Sequence, residues 1–278
     1  MMVGTLYLVG TPIGNLEDIS LRAQRVLGEV EVIAAEDTRE TRKLLAHYQI
    51  RTRLLSYHAH SRAQRREEIL ALLRAGKSVA VVSDAGMPGI SDPGAELVRD
   101  CRAAGLPVVA IPGPTAVTTA LALSGFLAEE YLFLGFLPSR ANLRRQVLPR
   151  ALTHPGTIVC YEVPHRLIES LADMREVLGD RTALCARELT KKFEEVVPGR
   201  LSELIAHFTA HAPRGEMTVV VEGAPVDKQA GDLAAGVAEV GELVAAGTTP
   251  SRAVAHVAKW RGLPRRALYQ AVLEATHE

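Results

Sequence analysis

Three turns rich in glycine and proline each directly follow a short β-rich apolar run. They are 9–16, with Gly10, Thr11, Pro12 and Gly14; 83–94, with Asp84, Ala85, Gly86, Met87 and Gly89; and 111–116, with Pro112, Gly113, Pro114, Thr115 and Ala116. In proteins that alternate strand and helix, ligands collect outside the carboxyl ends of the strands. Three such turns on one sheet edge predict a small-molecule site made largely of exposed backbone.

The rest of the first half supports that placement. Strand-like runs near 4–9, 30–35, 78–83 and 107–111 are separated by helical stretches near 18–28, 39–47, 62–75 and 94–104, the pattern of an α/β domain with a largely parallel sheet. Ser61 is placed to cap the third helix, and Asp92-Pro93 to open the fourth. A second α/β block follows, with strands at 131–134, 157–161, 182–186 and 217–221 and helices near 140–152, 165–178 and 200–210. After a linker at 223–232 the chain is helical in pattern. The expected division is an amino-terminal domain at 1–120, a second α/β domain at 121–228 and a helical extension at 229–278.

Composition excludes more than it selects. The 278 residues carry 32 basic and 32 acidic side chains, so global charge does not mark a polyanion binder, although a local basic surface stays open. No window approaches the roughly 18 apolar residues of a membrane span. The amino terminus runs straight into a strand, so no membrane and a cytoplasmic location are expected. Cys101, Cys160 and Cys185 each sit in an apolar pattern and are expected as reduced core residues. An isolated His58-x-His60 lacks a nearby third ligand, and no metal is expected.

The first turn invites comparison with a dinucleotide fingerprint, since Glu36 and Asp37 end the second strand. The spacing is wrong, and Pro12 has no amide to offer a pyrophosphate. Asp84 ends a strand in a glycine loop and suits a ligand amine, hydroxyl or sulfonium, or else caps a turn. Thr115 is equally a helix cap or a ligand donor.

Taken in order, Thr11 to Leu16, Ala35 to Arg39, Ser83 to Gly86, Ser91 to Gly94, Pro112 to Pro114, Phe136 to Pro138, Tyr161 to Arg166 and Ala186 to Lys191 carry a resemblance that covers about 220 residues. The chain resembles the tetrapyrrole methylase superfamily and, within it, the ribosomal RNA small subunit methyltransferase I family. The resemblance implies a class III methyltransferase: two α/β domains with a cofactor trough between them, plus a small carboxyl-terminal helical extension. It implies S-adenosylmethionine held by Gly10, Thr11, Pro12, Asp84, Ala85, Gly86, Met87, Thr115, Ala116 and Tyr161. It also implies 2'-O-methylation of a cytidine in the decoding region of 16S rRNA, with a homodimer acting on the 30S subunit. A small-molecule methylase of the tetrapyrrole type is the alternative. Two departures from the family pattern are Met87, where threonine is usual, and Ala59 between the two histidines.

A ribose hydroxyl is a poor nucleophile, so a base is useful; the candidates are Glu162, His165, Asp84 and His58, with Glu162 favoured as a strand-end carboxylate. Arg140, Arg144 and Arg145 lie in a basic stretch with no acid between Leu134 and Pro155, and are expected to track RNA phosphates at the cleft mouth. His165 and Arg166, in the turn after Tyr161-Glu162, are expected beside them. Glu188 is expected in a salt bridge closing the two domains. In the tail, Thr249-Pro250-Ser251 opens a helix, Gly262-Leu263-Pro264 makes a turn and Arg265 opens another. That spacing suits a helix-turn-helix, or equally a cap packed on the enzyme or its dimer mate.

Overall fold

The computed structural model describes residues 3–58, 62–225 and 233–276. Ser61, His60 and the central part of the expected linker lie outside the described residues. The first half folds as β1 (Leu6–Val9), α1 (Leu21–Glu29), β2 (Val32–Ala35), α2 (Thr38–His47), β3 (Arg53–Ser56), α3 (Arg62–Arg74), β4 (Val79–Val82), α4 (Ala95–Ala103) and β5 (Val108–Ile111). Every pairing in its sheet is parallel, in the order β3-β2-β4-β1-β5. Because β4, β1 and β5 are neighbours, the three turns that follow them lie side by side.

β2 and β4 are buried at every residue, as expected of parallel strands covered on both faces. Val32, Ala34, Val79 and Val81 enter one apolar layer, while Ile33, Ala35, Ala80 and Val82 enter the other. β3 carries no strong signal in the sequence. It is four residues long, begins with the exposed Arg53 and sits at the sheet edge, where burial does not impose an apolar run.

The second half comprises α5 (Ala116–Ser124), β6 (Tyr131–Phe136), α6 (Ala141–Val147), β7 (Thr157–Glu162), α7 (Leu167–Leu178), β8 (Thr182–Arg187), β9 (Glu195–Arg200), α8 (Leu201–Ala210) and β10 (Met217–Val221). The strand order is β6-β7-β10-β8-β9, with β6 and β7 parallel and the other pairs antiparallel. The helix expected near 140–152 ends early: α6 stops at Val147 and a 3-10 turn containing Pro149 takes over. β9 was not expected either, since it contains Pro198 and Gly199, which sheets admit at an edge.

One helix decides how the halves meet. α5 follows the third turn of the first domain, yet its Val117, Ala120 and Leu121 pack against Val159, Leu184, Ala186 and Val220 of the second sheet. Residue 120 lies inside this helix, which packs on the second sheet from Ala116 onward. The opposite face of the same sheet, with Ile158, Cys160, Ala183, Cys185, Met217 and Val219, is covered by α7 and α8 through Leu171, Met174, Leu204 and Phe208. The three cysteines are free and buried, and burial pushes the thiols of Cys101 and Cys185 up to about 11 and about 12.

The tail forms α9 (Leu233–Ala245), α10 (Pro250–Arg261) and α11 (Arg265–Thr276). It has its own core of Val240, Val254, Val257, Leu263 and Leu268, side chains that each contribute about 1.5 to 3 kcal/mol when buried. An exposed ion pair between Lys259 and Glu129 joins it to the second lobe, an interaction of at most about 1 kcal/mol. The three helices pack on one another around that core. Among the described residues, no helix is long and apolar enough to cross a membrane.

Candidate active site

The three turns are fastened together before any ligand is considered. Thr11 and Gly86 exchange backbone hydrogen bonds of 2.9 and 3.1 Å, and the buried Thr11 hydroxyl donates to the Ser83 carbonyl at 3.1 Å. Gly10 meets Gly113 so closely that a Cβ added at Gly10 would lie 2.7 Å from the Gly113 Cα and 2.8 Å from the Met87 sulfur. Gly10, Thr11 and Pro12 thus form the wall behind the site and do not line it. Met87 fills the space over Gly10, so the family departure at this position is accommodated by packing.

In front of that wall lies a cavity of about 480 Å³ between the lobes. Its first-lobe side consists of Ile13, Glu36, Asp84, Ala85, Gly86, Met87, Ile90 and Asp92; α5 adds Thr115 to Thr118. Both readings of Thr115 hold, because it lines the cavity and its side chain caps α5 by accepting from the Thr118 amide. The second-lobe side comes from the inward face of the sheet: Phe133 and Tyr161 on β6 and β7, Ala186 on β8, Thr218 on β10, with Glu188, Lys191 and Glu216 at the strand ends. This size is ordinary for a small-molecule site.

A β-bulge completes the aromatic wall. The β6–β7 register shifts between Phe133 and Phe136, Gly135 has φ +64°, and the extra residue returns Phe136 to the face that Phe133 occupies. Phe133 and Phe136 stand 5.1 and 5.2 Å from Tyr161, centroid to centroid. These aromatics were not singled out from the sequence apart from Tyr161. Alternation along β6 was the available signal, and the bulge breaks it.

Electrostatically the cavity is acidic. Glu36, Asp84, Asp92, Glu162, Glu188 and Glu216 border it, and Lys191 is the single cation among the described lining residues, pairing with Glu188 at 2.9 Å and Glu216 at 3.3 Å. Burial, opposed by a hydrogen bond from the Asp37 amide and reinforced by the carboxylates of Asp37, Glu40 and Glu216, raises the Asp84 carboxyl above its ordinary value. Burial likewise raises Asp92, with Asp84 and Glu216 adding to it and a Ser83 hydrogen bond opposing. Such a pocket favours a cation and disfavours a phosphate.

Glu162 borders the cavity at the end of β7, but its side chain is engaged behind that wall. Side chains alternate along β7, so Tyr161 points inward and Glu162 points to the opposite layer. There it is 1% exposed; it accepts from the Ser170 hydroxyl at 2.5 Å and from the Val163 amide at 2.9 Å, and it pairs with Arg166 at 2.9 Å. Its carboxylate holds the turn after β7 through these three partners.

The basic stretch is corrected in the same way. Arg144 is 1% exposed, bonds Asp173 at 2.6 Å and donates to the carbonyls of Pro138 and Ser139, so it is a core group and not an RNA contact. Arg145 is half-exposed but bound to Asp173 and Glu176. Arg140 and His165 are exposed, on segments that leave the neighbouring parallel strands β6 and β7 at the cavity edge. Arg166 is partly buried against Glu162.

Interlobe closure comes from the Thr190 hydroxyl and from close approach of the chain at Gly14. Glu188 pairs within its own lobe, whereas the Asn15 amide donates to the Thr190 hydroxyl at 2.9 Å, and a Cβ added at Gly14 would lie 2.7 Å from the Leu189 carbonyl oxygen. Glu188 and Thr190 hold φ of +50° and +66°, and Ser91 across the cavity +63°. Positive φ in side-chain-bearing residues costs about 1 to 3 kcal/mol each and concentrates at functional sites. Among the described residues, no group of three or more His, Cys, Asp or Glu side chains is arranged to hold a metal ion.

Two α/β lobes joined over an acidic, aromatic-walled trough define a class, the two-lobed methyltransferases. The family model for tetrapyrrole (corrin/porphyrin) methylases matches residues 5–205. A Synechocystis protein named ribosomal RNA small subunit methyltransferase I is 47% identical over 274 residues, covering 98% of each chain. A Thermotoga maritima protein of the same name is 49% identical over 221 residues, 80% of this chain and 99% of its own. Among solved structures, uroporphyrin-III C-methyltransferase from Thermus thermophilus, complexed with S-adenosyl homocysteine, superposes with a TM-score of 0.54 at 22% identity, over 78% of this chain and 97% of its own. The chain belongs to the tetrapyrrole methylase family and, within it, to the ribosomal RNA small subunit methyltransferase I family.

Proposed function

We propose that this protein transfers a methyl group from S-adenosylmethionine to the 2'-oxygen of a cytidine ribose in the decoding region of 16S rRNA. It acts on the 30S subunit, in the cytoplasm, as a homodimer. The observation that carries the reading is the interlobe cavity, acidic on one wall and aromatic on the other, in a chain whose relatives are named for small-subunit rRNA methylation. The outer strand β5 leaves Val109 and Ala110 exposed, a surface suited to a second copy.

The residues fit the cofactor. S-adenosylmethionine supplies an electrophilic methyl on a sulfonium and carries an ammonium, a carboxylate and a flat purine. Asp84, Asp92 and Glu216 offer the carboxylates that stabilise its cationic groups. The first turn of α5 presents amides at the cavity, which suits a carboxylate. Phe133, Phe136 and Tyr161 offer a slot for a planar ring.

Positioning supplies most of the acceleration in such a displacement, because the acceptor oxygen must lie in line with the bond that breaks. The rigid backbone wall of the three turns serves that end. With the Glu162 carboxylate occupied by Ser170, Val163 and Arg166, Asp84 takes the proton-acceptor role: its Oδ1 receives the Asp37 amide at 3.0 Å, and its raised basicity suits removal of a hydroxyl proton. Arg140 and His165 are the cavity-edge residues left to meet RNA.

The test is mass spectrometry of 16S rRNA from cells lacking this gene. One 2'-O-methylcytidine is expected to disappear, to return with the wild-type chain and to stay absent with Asp84→Asn. Persistence of every 2'-O-methylcytidine in the deleted strain overturns the reading.

A further inference from the structure

The helical tail is a separate body with a charge distribution of its own. α9 contributes Glu239 and Glu242, whereas α10 and α11 together carry Arg252, Lys259, Arg261, Arg265 and Arg266 against Glu274 alone. Two of these cations are committed, Lys259 to Glu129 and Arg261 to Glu239. Arg252, Arg265 and Arg266 are exposed and have no ion pair among the described residues. Arg252, His256 and Lys259 recur at i, i+4 and i+7 on α10 and so share one helix face. Trp260 stacks on His256 at 5.7 Å, and Tyr269 is 45% exposed on α11.

The catalytic lobes do not use this body. Among the described residues none of the tail lines the cavity, and one ion pair, Lys259 with Glu129, ties it to the lobes. The matched family region ends at residue 205, and the Thermotoga relative lacks a counterpart for about a fifth of this chain. A whole chain of zero net charge with an acidic cavity therefore carries an unpaired basic surface on an appended module.

We infer that α10 and α11 form an accessory RNA-binding surface that grips phosphates of the substrate RNA away from the methylated nucleotide. Arg252, Arg265 and Arg266 neutralise phosphates, and Trp260 and Tyr269 supply aromatic contacts. The inference rests on the RNA reading of the cavity but concerns a different surface. It explains how an enzyme with an acidic active site holds a polyanion: attraction is supplied at the tail, and the cavity receives a single nucleotide.

Trp260 is the only tryptophan of the chain, so its fluorescence reports on the tail alone. The probe is a transcribed, unmodified fragment of 16S rRNA spanning the decoding region, titrated against the full chain at several salt concentrations. Fluorescence is expected to change on binding. In the triple variant R252Q, R265Q and R266Q, the slope of log affinity against log salt is expected to shrink by about 2 to 3, near one per lost phosphate contact. The control Glu242→Gln on α9 keeps the slope, and calorimetry with S-adenosylmethionine gives wild-type affinity in both variants, which also shows that the lobes are folded.

An unchanged slope and affinity in the triple variant overturns the inference. So does RNA binding, detected by filter retention, that leaves Trp260 fluorescence unaltered. Salt-dependent tail binding in a chain that transfers no methyl group to RNA upholds this surface and removes the reading of the cavity instead.

Discussion

Replacing Arg144 separates a structural cation from an RNA contact. Its guanidinium is 1% exposed, holds the 5%-exposed Asp173 carboxylate at 2.6 Å and donates to two carbonyls. Breaking a buried pair by removing one partner costs about 3 to 5 kcal/mol, because a charge is left uncompensated. Here Arg145 still reaches the other Asp173 oxygen at 2.8 Å and relieves part of that penalty, while the Pro138 and Ser139 carbonyls lose donors. Arg144→Met should therefore destabilise the second lobe by about 2 to 4 kcal/mol. Arg145→Gln, half-exposed, should lower the midpoint far less. Urea unfolding followed by far-UV circular dichroism reads both, as a lowered midpoint at constant slope. An Arg144→Met protein of wild-type stability with a reduced salt slope for RNA would refute the reasoning and restore Arg144 as a phosphate contact.

Three other outcomes follow from the site. Gly10→Ala drives a Cβ into the Gly113 backbone and should weaken S-adenosylmethionine by roughly tenfold or more in calorimetry; unchanged affinity means the turns are not a fixed wall. Glu162→Gln should cost about 2 to 3 kcal/mol in unfolding yet keep single-turnover transfer within about tenfold when cofactor and RNA are saturating, whereas a thousandfold loss would return the base to Glu162. Asp84 and Asp92 have raised folded-state values, so the stability they contribute is complete below the ordinary 3.8 and is lost as pH rises through the raised values. Asp84→Asn should accordingly stabilise the ligand-free protein at pH 7 while weakening the cofactor, and wild-type cofactor affinity should fall on acidification while the pH is still above 3.8; equal stability of wild type and variant at pH 7 would contradict the burial argument.

The first domain was legible because β1, β4 and β5 are each an apolar run closed by glycine and proline, a signal that survives without any alignment. β3 and β9 were not, since edge strands tolerate Arg53 or Pro198 and carry no periodicity long enough to read. The cavity wall at Asp84 to Met87, Thr115, Ala116 and Tyr161 is where the turns pointed. The local pairing of Glu162 and of Arg144 was not legible for one reason: charge type is visible in a sequence, but the layer a side chain enters depends on its phase. Cys160 and Tyr161 enter opposite layers, and alternation sends the Glu162 side chain the way of Cys160 although the residue borders the cavity. Arg144 lies on the buried side of a short helix, and its partner Asp173 is 29 residues away. The aromatic wall needed the bulge at Gly135, which a two-residue repeat cannot foretell.

The measurement that bears most directly on the central claim is transfer of labelled methyl from S-adenosylmethionine to 30S subunits isolated from cells lacking this gene, with the RNA digested to nucleosides. The account predicts label in 2'-O-methylcytidine and in no other nucleoside. Cofactor binding without any transfer to the subunit would contradict it and point to a small-molecule acceptor.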